Sequence, residues 1–428
     1  MSLSLSVERL DALDDARRRA LLERDAGVEE VREQVRDVLA RVRADGDDAL
    51  REFSREFDGV EVESLDVTDR AASAYNRVDD DVREAVETAA ENVRSFHEAQ
   101  LPDDWRTTEG GRELGRRFRP LDRVGVYVPG GTAAYPSSAI MGVVPATVAG
   151  VKDVVVVTPP AGEMNPVTLA AVYAAGADEV YAVGGAQAVG ALAYGTETVD
   201  PVRKVVGPGN RWVTAAKAEV RGDVDIDFLA GPSEVCVVAD DTADPALVAA
   251  DLLAQAEHDP HASVVAVTDD AGVADAVTAE LAARLPDRER AEVVREALAS
   301  DASGVFLAGS MEAATAFAEA YAPEHLSVQA ADEEAVLDAV PSAGSAFLGP
   351  YTPVAAGDYA TGTNHILPTG GGAKRTGGVS VDTFLRATTV QRLDEAALAD
   401  LRETVTTLAS AEGLEAHAAS VDARFEDG

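Results

Sequence analysis

The scarce reactive residues of this chain are its six histidines: His97, His258, His261, His325, His365 and His417. His97 closes an acidic helical stretch and reads as a surface residue. His261 follows an Asp-Pro pair and reads as solvated. The other four fall in segments with chemical potential. In LLAQAEHDP, Gln255 and His258 are three residues apart at the end of a predicted helix, so they share a face. That is half of a metal site, or simply a capping histidine beside an exposed glutamine. In APEHLSV, Glu324 and His325 follow Pro323. Neighbouring side chains share a pocket only at a turn, which the proline supplies, and Glu and His are the usual general bases near neutral pH. The competing reading is the ordinary start of a strand. Asp358 and His365 lie in the Gly- and Thr-rich stretch GDYATGTNHILPT (357–369). Long loops of this kind are more often functional than not. Glu412 and His417 sit in AEGLEAH, in a helical tail. Gln255, His258, Asp358 and one further histidine would form a nitrogen and oxygen donor set without sulfur. Such a set suits Zn²⁺, with Mn²⁺ and Co²⁺ also open.

Two glycine-rich turns are candidate anion sites. YVPGGTAAYPSS (127–138) runs from a predicted strand into a helix whose N-terminus could hold an anion. It lacks the lysine of a P-loop and the spacing of the GxGxxG fingerprint. GPGN (207–210) is a second turn of the kind, and either could be a plain tight connection. The single cysteine, Cys236, lies inside an apolar strand and reads as inert rather than as a nucleophile. The segment GGGAKRTGG (370–378) reads as a flexible hinge.

The elements that must position these groups alternate. VGVYV (124–128), VVVVT (154–158) and EVYAVG (179–184) read as strands, separated by Ala-rich helices over 137–150, 167–176 and 186–195. A second series starts with the strand EVCVVA (234–239) and continues through SVVAVT (263–268), GVFLAG (304–309) and SAFLG (345–349). Such alternation predicts βαβ units and parallel sheets. The expected fold is therefore α/β: two Rossmann-like, incomplete lobes with parallel sheets, a short N-terminal arm and a helical C-terminal tail. Residues 1–20 form the arm. Residues 21–126 and 234–378 form a discontinuous first lobe, and 127–233 form the second. Residues 379–428 form the tail, whose helical part over 393–425 is too thin to bury a core alone and must pack on something.

With 76 Asp+Glu against 37 Lys+Arg, the chain carries a formal charge of -39 over 428 residues. This argues against nucleic acid and anionic membrane surfaces, which need clustered cations. Lysine occurs only at Lys152, Lys204, Lys217 and Lys374. Abundant acid with scarce lysine is the pattern of halophilic proteins, whose self-repulsion is screened when molar salt cuts the Debye length to ~3 Å. No apolar run reaches the length of a membrane span or a signal peptide, so the cytoplasm is the expected location.

These segments, in order, resemble the histidinol dehydrogenase family from about residue 20 to 420. The motifs are RVGVYVPGGTAAYPSSAIMGVVPATVAGV, VGGAQAVGALAYGT, VVGPGN, AGPSEV, LLAQAEHDP, APEHLSV, GDYATGTNHILPT and AEGLEAH. The resemblance implies oxidation of L-histidinol to L-histidinal and then L-histidine, with two NAD⁺ and one Zn²⁺ per subunit. It implies zinc ligands at Gln255, His258, Asp358 and His417, which also face the substrate. His325 would be the proton acceptor for both hydride steps, and Glu324 would activate water. Tyr127, Gln187 and Asn210 match cofactor positions, and Ser233, His365 and Glu412 match substrate positions. It further implies a homodimer in which Glu412 and His417 serve the neighbouring subunit's site. Two other readings stand beside it: a relative acting on another polyol or amino alcohol, and a zinc hydrolase using Glu324.

Overall fold

The computed structural model describes residues 6–130 and 134–425, so residues 131–133 of the first glycine-rich turn lie outside the described part. The chain divides into two compact units, Met1–Gln100 with Leu121–Phe384, and Leu101–Pro120 with Leu385–Gly428. In chain order the strands are β1 (Val7–Arg9), β2 (Trp105–Glu109), β3 (Arg112–Pro120), β4 (Arg123–Tyr127), β5 (Asp153–Thr158), β6 (Glu179–Ala182), β7 (Lys204–Val206), β8 (Asp225–Ile226), β9 (Glu234–Ala239), β10 (Ser263–Thr268), β11 (Gly304–Leu307), β12 (His325–Gln329), β13 (Ser345–Leu348) and β14 (Leu385–Leu393).

The first unit holds two parallel sheets. One has the order β6-β5-β4-β7-β8 and the other β1-β11-β10-β9-β12-β13. Apart from β1, both repeat one pattern: the first strand of each series is central and the order runs 3-2-1-4-5. This is the doubly wound arrangement cut short by its last strand. Valine runs build it. All six residues of β9 and of β10 are buried, as parallel strands covered on both faces require. The helices between them have clear start signals. Asn165 and Asp244 cap the helices Pro166–Ala175 and Pro245–Ala256 through their side-chain oxygens, each with proline at the first position.

Some assignments differ from the sequence reading. The helix Val28–Phe53, grouped there with residues 234–378, buries Val31, Val35, Val42 and Leu50 in the core of the five-stranded sheet, beside Val155 and Leu192. The N-terminal arm is anchored: β1 pairs in parallel with β11 along the sheet edge. His97, expected on the surface, is fully buried, because it continues the apolar face of Val86, Ala89, Ala90 and Val93. Segment 370–378 is no free hinge. The Gly370 N–H donates to Glu234 and Lys374 Nζ to the Ala320 carbonyl.

The second unit is a three-stranded antiparallel sheet, β14-β3-β2, with the helices Glu395–Ala411 and Glu415–Asp422. Residues 385–393, expected within a helical tail, are a strand. All nine of its residues pair with β3, and the run Thr388-Thr389-Val390 is β-branched. Among the described hydrophobic residues of this unit only Ala397 and Ala409 are buried. Among all described residues, no helix is long and apolar enough to cross a membrane.

Candidate active site

Ligands of open α/β sheets bind at the carboxyl ends of the strands, where the strand order reverses. In the five-stranded sheet that point lies between β4 and β7. Tyr127 ends β4, buried, and its hydroxyl accepts the Gly185 N–H at 3.1 Å. Gly185 opens the helix after β6, and Gln187 is buried in that helix's first turn. Gly207 follows β7 with φ +113, and a Cβ on it would lie 2.2 Å from the Tyr127 carbonyl oxygen. Its N–H donates to Asp227 Oδ2 at 2.8 Å and its carbonyl accepts Lys217 Nζ at 3.0 Å. Lys217 and Asp227 themselves form a buried ion pair. Asn210, the exposed last residue of this turn, uses its side-chain oxygen to cap the helix Arg211–Val220, accepting the N–H groups of Trp212 and Val213. Backbone is thus held tightly at the switch point, with little side chain in the way, as a dinucleotide requires.

The six-stranded sheet presents its opposite edge. Glu324 and His325 stand at the start of β12, next to the start of β9, and both are buried. The turn before them is unusual: Ala322 has φ 50 and is the only non-glycine residue with positive φ among the described residues. Glu324 Oε2 accepts the Glu234 N–H at 2.8 Å. His325 Nδ1 lies 2.8 Å from the Glu234 carbonyl oxygen. A carbonyl can only accept, so Nδ1 carries the hydrogen and Nε2 keeps its lone pair. Nε2 is buried and has no hydrogen-bond partner. Burial pushes the ring down to about 4, and neighbouring His365 and His258 oppose its charge further, while the hydrogen bond to the Glu234 carbonyl works the other way. His325 is therefore a neutral base with an open nitrogen. Burial also pushes the Glu324 carboxyl well above the carboxylate range, the Glu234 N–H works against this, and the Glu234 and Asp358 carboxylates add to it.

Asp358 sits in the short helix Val354–Tyr359, which lies against the helix carrying Gln255. Its backbone carbonyl is 2.9 Å from His365 Nδ1, and its carboxylate is 3.7 Å from His325 Nε2. Burial pushes that carboxyl up to about 7 and the His365 ring down to about 4. His365 Nε2 is 3.5 Å from Ser138 Oγ, in the first turn of the helix Pro136–Ala149 that follows β4. This contact joins the loop carrying His365 to the helix that follows β4. His258 stands just past the Gln255 helix. It is exposed, yet enough protein surrounds its ring for burial to lower its pKa.

Among the described residues no three His, Cys, Asp or Glu side chains are gathered as a metal site. The donor chemistry nonetheless suits a cation completed from elsewhere. Gln255 is buried with both amide heavy atoms unpartnered, which normally costs about 1–3 kcal/mol per group. A cation coordinated by its oxygen would relieve part of that cost.

The sequence profile of the histidinol dehydrogenase family matches residues 22–425. The chain belongs to the histidinol dehydrogenase family. It is 69% identical over 424 residues to histidinol dehydrogenase of Halobacterium salinarum, covering 99% of this chain and 100% of that one. It is 45% identical over 404 residues to histidinol dehydrogenase of Bacillus subtilis, covering 94% of each. Among solved structures it resembles histidinol dehydrogenase from Elizabethkingia anophelis, with a TM-score of 0.91, 35% identity and 96% of each chain covered.

Histidinol dehydrogenase family membership frames where the expected residues lie. Glu324, His325, Asp358, His365 and His258 fall in one neighbourhood of the first unit, with Gln255 on the adjoining helix. Ser233, half-buried, immediately precedes Glu234. Tyr127, Gln187 and Asn210 stand along the carboxyl edge of the other sheet. Glu412 and His417 belong to the second unit and are exposed. His261 is exposed as expected. Cys236 is also as expected, buried in β9 with its thiol pushed up to about 12 by burial. Two participants carry no signal of their own in the sequence, Ser138 and Glu234, although both lie inside recognised motifs.

Proposed function

We propose that this NAD-dependent oxidoreductase converts L-histidinol through bound L-histidinal to L-histidine. One observation carries the chemistry: His325 is fixed as a neutral imidazole with Nδ1 on the Glu234 carbonyl and Nε2 bare, beside the Glu324 carboxyl. In the first step Nε2 takes the hydroxyl proton as the carbinol hydride leaves for the nicotinamide, giving the aldehyde and NADH. Water then adds to the aldehyde carbon while the Glu324 carboxylate accepts its proton and protonated His325 returns its proton to the carbonyl oxygen, which gives the hydrate and frees Nε2. A second hydride leaves the hydrate for a second NAD⁺, His325 again takes the hydroxyl proton, and the carboxylate product forms. A base with such a free nitrogen contributes ~10²–10⁴-fold. Glu324, whose carboxyl burial pushes well above the carboxylate range, is suited to pass protons in both directions. Holding the aldehyde in a closed site prevents its loss.

Gln255, His258 and Asp358, with His417 from a second copy of the chain, would hold zinc. When bound, that ion would anchor the substrate's imidazole and amine and so orient its carbinol carbon. Tyr127, Gln187 and Asn210 would border NAD at the switch point, and Ser233, His365 and Glu412 would contact substrate. The reading makes the protein a cytoplasmic homodimer with shared sites. In support, the second unit exposes Leu393, Leu408 and Leu414 and buries almost nothing by itself.

The test is NADH formation from L-histidinol and, separately, from L-histidinal, with zinc-loaded protein in high salt and with a chelator added. Turnover of both substrates, lost on chelation, is expected. A zinc-loaded dimer that forms no NADH from either would overturn the reading.

A further inference from the structure

Glu324 and His325 are held by a residue that has no reacting role of its own. Glu234 opens β9, and its two backbone groups face the two side chains: the N–H donates to Glu324 Oε2 and the carbonyl accepts from His325 Nδ1, both at 2.8 Å. The Glu234 side chain is only 2% exposed. Its carboxylate accepts Arg24 Nε at 2.7 Å on Oε1 and Arg24 Nη2 at 3.0 Å on Oε2. The Gly370 N–H adds a third bond to Oε1 at 2.7 Å.

Arg24 is equally committed. Its Nη1 donates to the Leu21 carbonyl at 2.6 Å and its Nη2 to the Tyr321 carbonyl at 2.9 Å. The guanidinium lies 3.6 Å from the Tyr321 ring centroid. Tyr321 ends the helix Met311–Tyr321, and Ala322, with its positive φ, leads directly into Glu324 and His325. One guanidinium therefore joins the start of β9 to the strained turn that delivers both reacting groups.

We propose that Arg24 and Glu234 are positioning residues, a buried bidentate ion pair that fixes the spacing between β9 and the Ala322–His325 turn and thereby aims Glu324 and selects the His325 tautomer. This rests on the reading of Glu324 and His325 as the reacting groups. Stability alone gives little reason for such a pair, because well-packed neutral side chains in place of a buried ion pair are often no less stable. Placement gives a reason. A shift of about 1 Å at a reacting group costs on the order of 10²-fold in rate, and a forked guanidinium on a carboxylate is among the more directional contacts a protein makes.

The experiment compares the zinc-loaded holoenzyme with Glu234→Gln, Arg24→Lys and the uncharged double variant Arg24→Met/Glu234→Gln, which removes both charges together and so guards against misfolding. For each, kcat and KM are measured with L-histidinol and L-histidinal, and histidine side-chain ¹⁵N spectra report the His325 tautomer. The expected result is a kcat lower by on the order of 10²-fold in the double variant, with KM close to wild type. Arg24→Lys should recover part of that loss, and the Glu234 variants should lose the single Nδ1–H signal of His325. Full kcat in the folded double variant would overturn the proposal, as would an unchanged His325 spectrum. If the wild type itself makes no NADH from L-histidinol, the functional reading fails. The tautomer spectra then decide the positioning role alone.

Discussion

His325 Nε2 lies 3.7 Å from Asp358 Oδ1, too far to donate or accept a hydrogen bond. The imidazole is thus bound on one side only, and its reactive side is left open. His325→Asn tests this directly, since an asparagine amide can still donate to the Glu234 carbonyl while offering no basic nitrogen. Turnover of L-histidinol should fall by ~10²–10⁴-fold, and histidinol binding, followed by calorimetry without NAD⁺, should change little. Comparable losses in both would mean that His325 acts as a binding group.

His365 gives a pH prediction for the chelator-treated protein. Burial lowers its ring from an ordinary 6.5 to about 4 in the folded chain. A depressed histidine contributes stability that is complete above the unfolded value and is lost as pH falls, because the unfolded chain binds the proton first. The advantage of wild type over His365→Gln should therefore shrink between pH 6.5 and about 4, by on the order of 3 kcal/mol. Paired urea titrations across that window measure it. A gap that stays constant with pH would show that His365 titrates normally.

Gly207 tests the cofactor edge. With φ +113 and no room for a Cβ against the Tyr127 carbonyl, Gly207→Ala must move the turn that carries Asn210. Strain of this kind costs about 1–3 kcal/mol. NAD⁺ affinity, read from the fluorescence of nearby Trp212, should weaken, whereas zinc content should stay at the wild-type level. Unchanged NAD⁺ affinity would place the cofactor elsewhere.

Much of this architecture is visible in local sequence, and what was missed has physical causes. The valine runs of β5, β9 and β10 are too apolar to be anything but two-sided buried strands, and capping residues mark the helices between them. His97 was readable too, since it falls four residues after Val93 on an apolar stripe, but a histidine beside glutamates looks exposed. Strand 385–393 was hidden because its partner lies more than 250 positions earlier, on β3. Arg24 and Glu234 are 210 residues apart, and no spacing rule relates them. Glu324 and His325 were visible as a motif, but not the reason they share a pocket, which is the backbone of Glu234. The expected cofactor residues lie at the carboxyl ends of the five-stranded sheet, whereas Glu324 and His325 stand at the start of β12.

The charge balance predicts a response to salt. An excess of 39 acidic groups, from 76 Asp+Glu less 37 Lys+Arg, repels itself in the compact state. Several acids are already tied locally, as Glu219 is by Arg32 and Arg36, but most have no cation to pair with. The melting temperature should rise steadily from low to molar potassium chloride as the Debye length shrinks from ~10 Å at 0.1 M to ~3 Å at 1 M. A melting temperature that falls with salt would show that the native ion pairs outweigh the repulsion.

Gln255 offers the sharpest separation of stability from function. It is 2% exposed, its amide nitrogen and oxygen both lack partners, and each such atom costs about 1–3 kcal/mol when buried. Leucine has a similar volume and no polar atoms. In the chelator-treated protein, Gln255→Leu should therefore melt no lower than wild type, and can melt higher. In the zinc-loaded protein the order should reverse, because wild type gains the stabilisation of a bound ligand and the variant loses a donor. Zinc retention by the variant, measured after dialysis, should drop at least about tenfold, as losses around metal sites commonly do. If Gln255→Leu instead destabilises the chelated protein and holds zinc as well as wild type does, the amide is serving the fold, and the cation must be bound by other residues.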